Sequence, residues 1–200
     1  LAGFGFVVVA PRACSTGCKD TCVTLPGGDP ACFGTFYEQQ LLAIDWVREG
    51  LSADAKALLE PLVNHSVGYG VAGHSMGGHG ALTLALKEPT RYRSVSAFAP
   101  VCNPSASDWG TPQLTAYTGR PASHDATVLL TDGAYLPPAL IDTGTSDQFY
   151  DKLGTAAFAA ALADTKSEAT LNLRRGYDHS YFFVSTFAPD HVAFHAEHLT

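Results

Sequence analysis

Residues 70–80 read GVAGHSMGGHG, a serine enclosed by glycines that directly follows an apolar run. Glycine reaches backbone conformations that other residues avoid and lets neighbouring backbone approach closely, but it costs conformational entropy on folding. Within this stretch, GHSMG at 73–77 fits the pattern G-x-S-x-G. A predicted strand over 67–72 precedes it and a predicted helix over 76–87 follows it. In that context G-x-S-x-G predicts a nucleophile elbow, a sharp turn that presents the Ser75 hydroxyl at the edge of a sheet; an ordinary glycine-rich strand-to-helix turn is the alternative.

Short apolar runs alternate with helical stretches along the whole chain. Strands are predicted over residues 5–10, 67–72, 94–99, 138–142 and 170–174. Helices are predicted over residues 36–48, 53–63, 76–87, 155–163 and 180–199, and the last is predicted to be interrupted at Pro189. Apolar strands that alternate with helices predict the α/β class, with a mostly parallel sheet and helices on both faces. With 200 residues and 46% apolar composition, we expect a single domain over residues 1–200.

Charge and hydropathy exclude two classes of partner. A net charge of −7 argues against a nucleic-acid-binding protein, which normally carries a basic surface. No apolar run is long enough to cross a bilayer. The opening LAGFGFVVVAP lacks a preceding cationic stretch, so a buried strand ending at Pro11 explains it better than a signal peptide does. Because Leu1 already falls inside that predicted strand, we expect upstream sequence to be missing.

A serine nucleophile needs a general base and an acid that orients it, in the order Ser, Asp or Glu, His. After the fourth predicted strand, IDTGTSDQFY offers Asp142 and Asp147. Asp142 is within or at the end of the strand, whereas Asp147 lies in the loop beyond, where its side chain can reach a histidine. After the fifth strand, RRGYDHSYFF places His179 in a loop that opens onto a helix. A helix cap or turn residue is the alternative for Asp147, and a capping or surface histidine is the alternative for His179; for Asp178 the cap is preferred.

Two further features belong to the predicted serine site. The backbone N–H of Met76, at the start of the helix, is expected to donate to the oxyanion that forms during acyl transfer. His74 and His79 lie too close to Ser75 along the chain to serve as its base, so we interpret them as packing or hydrogen-bonding residues. His74, which adjoins the serine, is also a candidate for contact with substrate.

Several separated blocks resemble S-formylglutathione hydrolase, the esterase D type of α/β-hydrolase. The blocks are FGFVVVAP, GHSMGGHGALTLALKEPTRYRSVSAFAPVCNPSASDWG, IDTGTSDQF and GYDHSYFFVSTFAPDHVAFHA. The resemblance places the family's nucleophile on Ser75, its acid on Asp147 rather than Asp142, and its base on His179. It implies hydrolysis of S-formylglutathione to glutathione and formate in formaldehyde detoxification, with no metal or organic cofactor.

The resemblance also bears on two residues between the predicted third and fourth strands. Cys102 and Trp109 match positions near the family's active-site region. We interpret Cys102 as a small buried apolar residue. Trp109 is a candidate substrate-binding residue, and ordinary packing is an equal alternative.

The chain departs from the family's pattern at its beginning. Nothing here matches the family's N-terminal strands or the loop that donates the second oxyanion N–H. Either the natural protein is longer, or the first predicted strand pairs directly with its neighbour in a five-stranded sheet. Losing one oxyanion donor typically lowers turnover by about a hundred- to a thousand-fold, so a catalytically impaired remnant is an alternative to an active enzyme.

Four cysteines fall in one loop, where the family is not ordinarily rich in them. Cys14, Cys18, Cys22 and Cys32 could form disulfides, bind zinc as thiolates, or stay reduced. The C-x3-C spacings differ from the common C-x2-C zinc motif. We expect free thiols in a cytoplasmic protein, and one or two disulfides if the protein is secreted.

Two smaller groups carry weaker functional interpretations. His191, His195 and His198 share one face of the terminal predicted helix, where a solvated or partly packed face is favoured over a metal site. Arg174 and Arg175 could attract the carboxylates of a glutathione-like substrate, although solvated arginines are the commoner case. The aromatic residues after the fifth predicted strand are expected to pack around the base-bearing loop, and these are Tyr177, Tyr181, Phe182 and Phe183.

The sequence as a whole predicts a serine esterase or thioesterase. The alternative substrate class is acetyl or aromatic esters. The expected partners are a small acyl thioester or ester and a second copy in a homodimer, with no nucleic acid and no membrane.

Overall fold

The computed structural model describes residues 22–24, 30–32, 52–59, 64, 66–108, 110–114 and 121–199. The chain divides into two compact units, Leu1–Ser66 with Ala116–Thr118 and Val67–Thr115 with Gly119–Thr200. The single domain expected over residues 1–200 therefore stays a prediction. The predicted strand 5–10 and the predicted helix 36–48 lie outside the described residues.

The first unit contains a short antiparallel pair of strands. β1 (Cys22–Thr24) pairs with β2 (Pro30–Cys32), and in this register Cys22 lies opposite Cys32. Cys14 and Cys18 lie outside the described residues. Helix α1 spans Ala53–Leu59, and the remainder of the helix predicted over 53–63 also lies outside the described residues.

The second unit is built on a parallel sheet. Its four described strands follow one another in space as in sequence: β3 (Tyr69–His74), β4 (Tyr92–Phe98), β5 (Ala139–Gly144) and β6 (Ala169–Arg174). All three pairings are parallel. Each strand lies within two residues of its predicted bounds, because apolar side chains on a doubly covered strand leave a strong local signal.

Helices connect and follow these strands. The six described in this unit are α2 (Met76–Lys87), α3 (Thr111–Leu114), α4 (Ala126–Thr131), α5 (Tyr150–Leu153), α6 (Thr155–Ala163) and α7 (Tyr181–His198). Single 3-10 turns lie at Pro104–Ala106 and Pro121–His124. The bounds of α2 and α6 match their predictions. The helices of four to six residues were not predicted, because they are too short for a 3.6-residue period to be visible.

Helices cover both faces of the sheet, as predicted. A Cβ atom on Gly70 of β3 would lie 2.5 Å from His195 of α7, whereas one on Gly73 would lie 2.1 Å from the Gly77 carbonyl oxygen of α2. Successive strand residues point to opposite faces. Three positions separate Gly70 from Gly73, so α7 and α2 lie on opposite faces of β3.

The prediction that the terminal helix is interrupted at Pro189 is wrong. α7 continues through the proline from Tyr181 to His198. An interior proline removes one backbone hydrogen bond and costs about 3 kcal/mol. Phe183 before the proline and His191 and His195 after it are all buried, and this packing on both sides holds the helix together.

Candidate active site

Ser75 lies in the turn between β3 and α2. Its backbone adopts φ 57° and ψ −121°, a conformation rarely taken by residues other than glycine. The turn is so tight that a side chain at Gly73 would collide with the Gly77 carbonyl. The Ser75 N–H donates to the Phe98 carbonyl at 2.9 Å, which fixes the turn to the end of β4. The strained conformation is therefore imposed by the surrounding backbone.

The N-terminus of α2 lies beside the Ser75 hydroxyl. The first N–H groups of a helix have no intrahelical acceptor and carry partial positive charge. Ser75 occupies the cap position but makes no side-chain capping hydrogen bond, and the first turn contains no acidic residue. The helix end is thus suited to a developing negative oxygen, with Met76 as its first residue.

Asp147 and His179 are joined by a short hydrogen bond. The distance from His179 Nδ1 to Asp147 Oδ2 is 2.6 Å, and the Asp147 side chain is fully buried. The second carboxylate oxygen accepts the Phe149 N–H at 2.7 Å, so the carboxylate is held on both sides. A carboxylate only accepts hydrogen bonds, so Nδ1 carries the proton and Nε2 is left as the basic nitrogen.

His179 lies against the residue that precedes Ser75. The ring centroids of His74 and His179 are 4.6 Å apart. On another side, the ring of Phe149 meets His179 edge to face at 5.1 Å. The loop after β6 thus brings His179 to the turn that carries Ser75.

The surroundings of His74 favour its neutral form. Burial, and secondly the neighbouring His179, lower the pKa of His74 below its ordinary value, with Asp147 opposing them. Its Nε2 atom is buried and has no hydrogen-bond partner among the described residues. The site thus contains a buried polar atom, beside the serine turn, whose hydrogen-bonding capacity is unused within the described residues.

Asp142, the alternative acid, lies in β5 and is bound by other groups. Its carboxylate accepts hydrogen bonds from Asn172 Nδ2 at 2.8 Å and from Arg174 Nε at 2.7 Å, and His191 Nε2 lies 3.6 Å away. Burial raises the pKa of Asp142, but its contacts with His191, Arg174 and Asn172 outweigh burial and lower it. Arg174 is therefore occupied within the protein, whereas Arg175 is exposed.

The aromatic residues around His179 divide into packed and exposed ones. Phe183 is fully buried, and Tyr177 packs against the same core cluster. Tyr181 and Phe182 also contact this region, since Tyr181 lies 5.8 Å from the ring of His74 and Phe182 stacks on Tyr177 at 6.0 Å, but they are 81% and 70% exposed. Phe182 lies on the side of α7 away from its buried residues, and Tyr181 is the first residue of the helix. Phe149, which sequence reasoning missed, is 39% exposed, and no local pattern marks its contact with His179.

The three histidines of α7 have structural partners. The Nδ1 and Nε2 atoms of His195 lie 2.7 and 3.0 Å from the hydroxyls of Ser94 and Ser96. His191 stacks on a phenylalanine of β4 with a centroid distance of 3.8 Å, and His198 bonds within its own helix. The described residues contain no group of three or more His, Cys, Asp or Glu that could hold a metal ion.

The remaining sequence candidates have the following positions. Cys102 is buried, its thiol donates to the Pro100 carbonyl at 3.4 Å, and burial raises its pKa, as suits a packing role. His79 is also buried, with Nδ1 3.1 Å from the Val101 carbonyl. Trp109 lies outside the described residues.

This combination of sheet, strained serine turn and later Asp–His pair is the arrangement of the α/β-hydrolase class. The family model described as "Putative esterase" matches residues 8–194, and the chain belongs to this family. In the part of the chain that the structure describes, no helix is long and apolar enough to cross a membrane.

Within this class, the chain is similar to several S-formylglutathione hydrolases. A curated S-formylglutathione hydrolase of Paracoccus denitrificans is 52% identical over 134 residues, which cover 65% of this chain and 48% of that protein. The structure of an S-formylglutathione hydrolase from Agrobacterium tumefaciens is 42% identical, with a TM-score of 0.66 over 79% of this chain and 58% of that one. One from Staphylococcus aureus, at 19% identity and TM-score 0.54, covers 80% of this chain and 60% of that one and shows the fold alone. The chain spans about half the length of the curated relative.

Proposed function

We propose that this chain is a serine thioesterase that hydrolyses S-formylglutathione to glutathione and formate, as in formaldehyde detoxification. The observation that carries the proposal is the 2.6 Å bond between Asp147 and His179, in a loop that packs on His74 beside the strained Ser75. The substrate class is supported by the two similar S-formylglutathione hydrolases, at 52% and 42% identity.

Acylation begins at the Ser75 hydroxyl. His179 Nε2 takes the hydroxyl proton while Ser75 Oγ attacks the acyl carbon, and Asp147 stabilises the imidazolium that results. The Met76 N–H donates to the oxyanion of the tetrahedral intermediate. The carbon–sulfur bond then breaks, and His179 returns its proton to the departing thiolate, which leaves as glutathione.

Deacylation repeats the same proton transfers with water. His179 takes a proton from water, which attacks the formyl-serine ester, and the Ser75 oxygen leaves and recovers the proton from His179. The products are formate and the free serine. Within the proposal, His74 and Trp109 contact the substrate; for His74 the support is its place next to Ser75 and against the ring of His179.

Aromatic or acetyl esters are the second candidate substrates. The exposed rings of Tyr181 and Phe182, together with the partly exposed Phe149 beside His179, support this alternative. Flat apolar groups stack favourably on such rings. A catalytically impaired remnant with an incomplete oxyanion hole is the non-enzymatic alternative.

Steady-state rates on S-formylglutathione and on an aryl acetate test the proposal. We expect kcat/KM to be higher on S-formylglutathione, and the reverse order would favour the second candidate. Ser75→Ala should lower kcat on either substrate by at least about a thousand-fold. Ser185→Ala, which removes an exposed hydroxyl of α7 bonded to Phe182, is the matched control. Unchanged turnover in Ser75→Ala would refute the nucleophile.

The proposal includes a cytoplasmic location with the cysteines reduced, and self-association into a homodimer. Sedimentation at several protein concentrations reads out the dimer. Thiol counting by mass spectrometry on unreduced protein reads out the redox state. Disulfides among Cys14, Cys18, Cys22 and Cys32 would point to secretion instead.

A further inference from the structure

We infer that Arg174 is a positioning residue that fixes the His179 loop against Asp147. This inference rests on the proposed function, since it concerns the same acid–base pair. Its evidence is a set of contacts through which one arginine joins β5, both loops and α7.

The loop after β5 and the loop after β6 are connected by hydrogen bonds that start at Arg174. The Thr145 N–H donates to the Arg174 carbonyl at 3.0 Å, and the Ser146 N–H donates to the Tyr177 carbonyl at 2.9 Å. The Gly176 N–H donates to the Thr145 hydroxyl at 3.0 Å. The Asp147–His179 bond comes next along the same two loops, so its geometry depends on the position of Arg174.

The Arg174 side chain links the end of β6 to the middle of α7. That loop leaves β6 at Arg174 and enters α7 at Tyr181. The guanidinium group lies 4.0 Å from the ring centroid of Phe187, and its Nη2 atom lies 3.5 Å from Asp190, both in α7. One side chain therefore contacts the helix into which its own loop runs.

The same guanidinium is anchored in the sheet. Arg174 Nε donates to Asp142 Oδ2 at 2.7 Å, and the Asp142 side chain is fully buried. Phe187 in turn packs against Tyr177 with a ring separation of 4.9 Å. Tyr177 is also the residue whose carbonyl accepts the Ser146 N–H. Arg174 thus contacts the sheet, the helix and the loop. An arginine that only bound substrate at the surface would not need these three contacts.

Arg174→Lys is the primary test, because lysine keeps the charge beside Asp142 but lacks the planar group that also lies over Phe187. We expect kcat to fall by about ten- to a hundred-fold with little change in KM, since a displacement of about 1 Å at the reacting groups can cost that much. The low-field NMR resonance of the His179 Nδ1 proton should weaken or shift. Arg91→Lys, at an exposed ion pair with Glu88, is the matched control and should change neither. Wild-type kcat and an unchanged resonance in Arg174→Lys would overturn the inference.

The double variant Asp142→Asn/Arg174→Met separates positioning from charge compensation. It removes both charges of the buried pair, so the thermal midpoint should approach that of the wild type while kcat stays low. Recovery of wild-type kcat would mean that Arg174 only neutralises Asp142, which contradicts the inference. The His179 Nδ1 proton resonance can be measured even in a protein that hydrolyses no substrate. If the wild type hydrolyses neither substrate, the proposed function fails, and the resonance alone decides the role of Arg174.

Discussion

Ser75 is unusual because it occupies the N-cap position of α2 but its side chain does not cap the helix. A serine before a helix normally accepts hydrogen bonds from the first turn, but the Ser75 hydroxyl makes no capping bond. The backbone N–H of the same residue is held by the Phe98 carbonyl. The backbone therefore carries the strain, and no capping bond holds the hydroxyl, as suits the proposed nucleophile.

Asp147 fixes both the orientation and the proton position of His179. An asparagine at 147 would present an amide that donates to Nδ1 and so favours the wrong tautomer. We expect Asp147→Asn to lower kcat by about 10⁴-fold, measured on the preferred substrate. Asp151→Asn, at an exposed position of α5 four residues along, is the control. If Asp147→Asn keeps more than a tenth of the wild-type kcat, Asp147 is not the orienting acid.

The sequence was informative about individual residues wherever function followed from order along the chain. Ser75 and His179 could be proposed because each follows a recognisable strand, whereas the choice of Asp147 over Asp142 rested on the family resemblance. The contact of Phe149 with His179 and the partners of Asp142 could not, because both depend on the packing of loops and helices distant in sequence. The sequence predicted a solvated or substrate-binding role for Arg174, because its partners in β5 and α7 are distant along the chain.

At the scale of elements, the close approach of β3 to α2 determines the turn. A Cβ on Gly73 would collide with the backbone of Gly77, whereas a Cβ on Gly80, further along α2, would have none of the described atoms outside its own helix backbone within 4 Å. The same substitution should therefore have opposite effects at the two positions.

Gly73→Ala should lower the free energy of unfolding by about 1–3 kcal/mol, because backbone must move to admit the methyl group. It should also lower kcat by displacing Ser75. Gly80→Ala should raise the free energy of unfolding by up to about 1 kcal/mol, because alanine is the better helix former. Urea unfolding of both variants measures these changes. Equal stabilities would contradict the packing described for this turn.

Element bounds were predictable where an element carries its own signal. α2 and α6 follow their sequence pattern, whereas the continuity of α7 across Pro189 depends on burial against the sheet. Local propensity cannot report that burial. The four-to-six-residue helices between strands likewise exist because the connections must pack.

At the scale of the whole unit, two buried histidines make the fold sensitive to acid. Burial lowers the pKa of His79 and of His195 to about 4 each. His195 is bound by Ser94 and Ser96 on β4, and His191 and His198 on its own helix lower its pKa further. Burial therefore favours the neutral form of both histidines in the folded protein.

Stability should fall as the pH is lowered from about 6.5 to about 4. In that window the unfolded chain binds protons that the folded chain does not. Each histidine therefore contributes on the order of 3 kcal/mol to the free energy of unfolding at pH values above the window, and this contribution is lost as the pH falls to about 4. Carboxylates such as Asp142 lose their contribution only at lower pH. Urea unfolding at half-unit pH steps measures the slope. A constant free energy of unfolding across the window would contradict neutral burial of these histidines.

Covalent labelling of Ser75 tests the central claim most directly. The protein is incubated with a serine-reactive phosphonate, and the modified residue is identified by peptide mass spectrometry. The arrangement of Ser75, His179 and Asp147 predicts one adduct per chain, on Ser75, and slow or absent labelling in His179→Ala. An unlabelled wild-type chain, or an adduct on another serine, would contradict it.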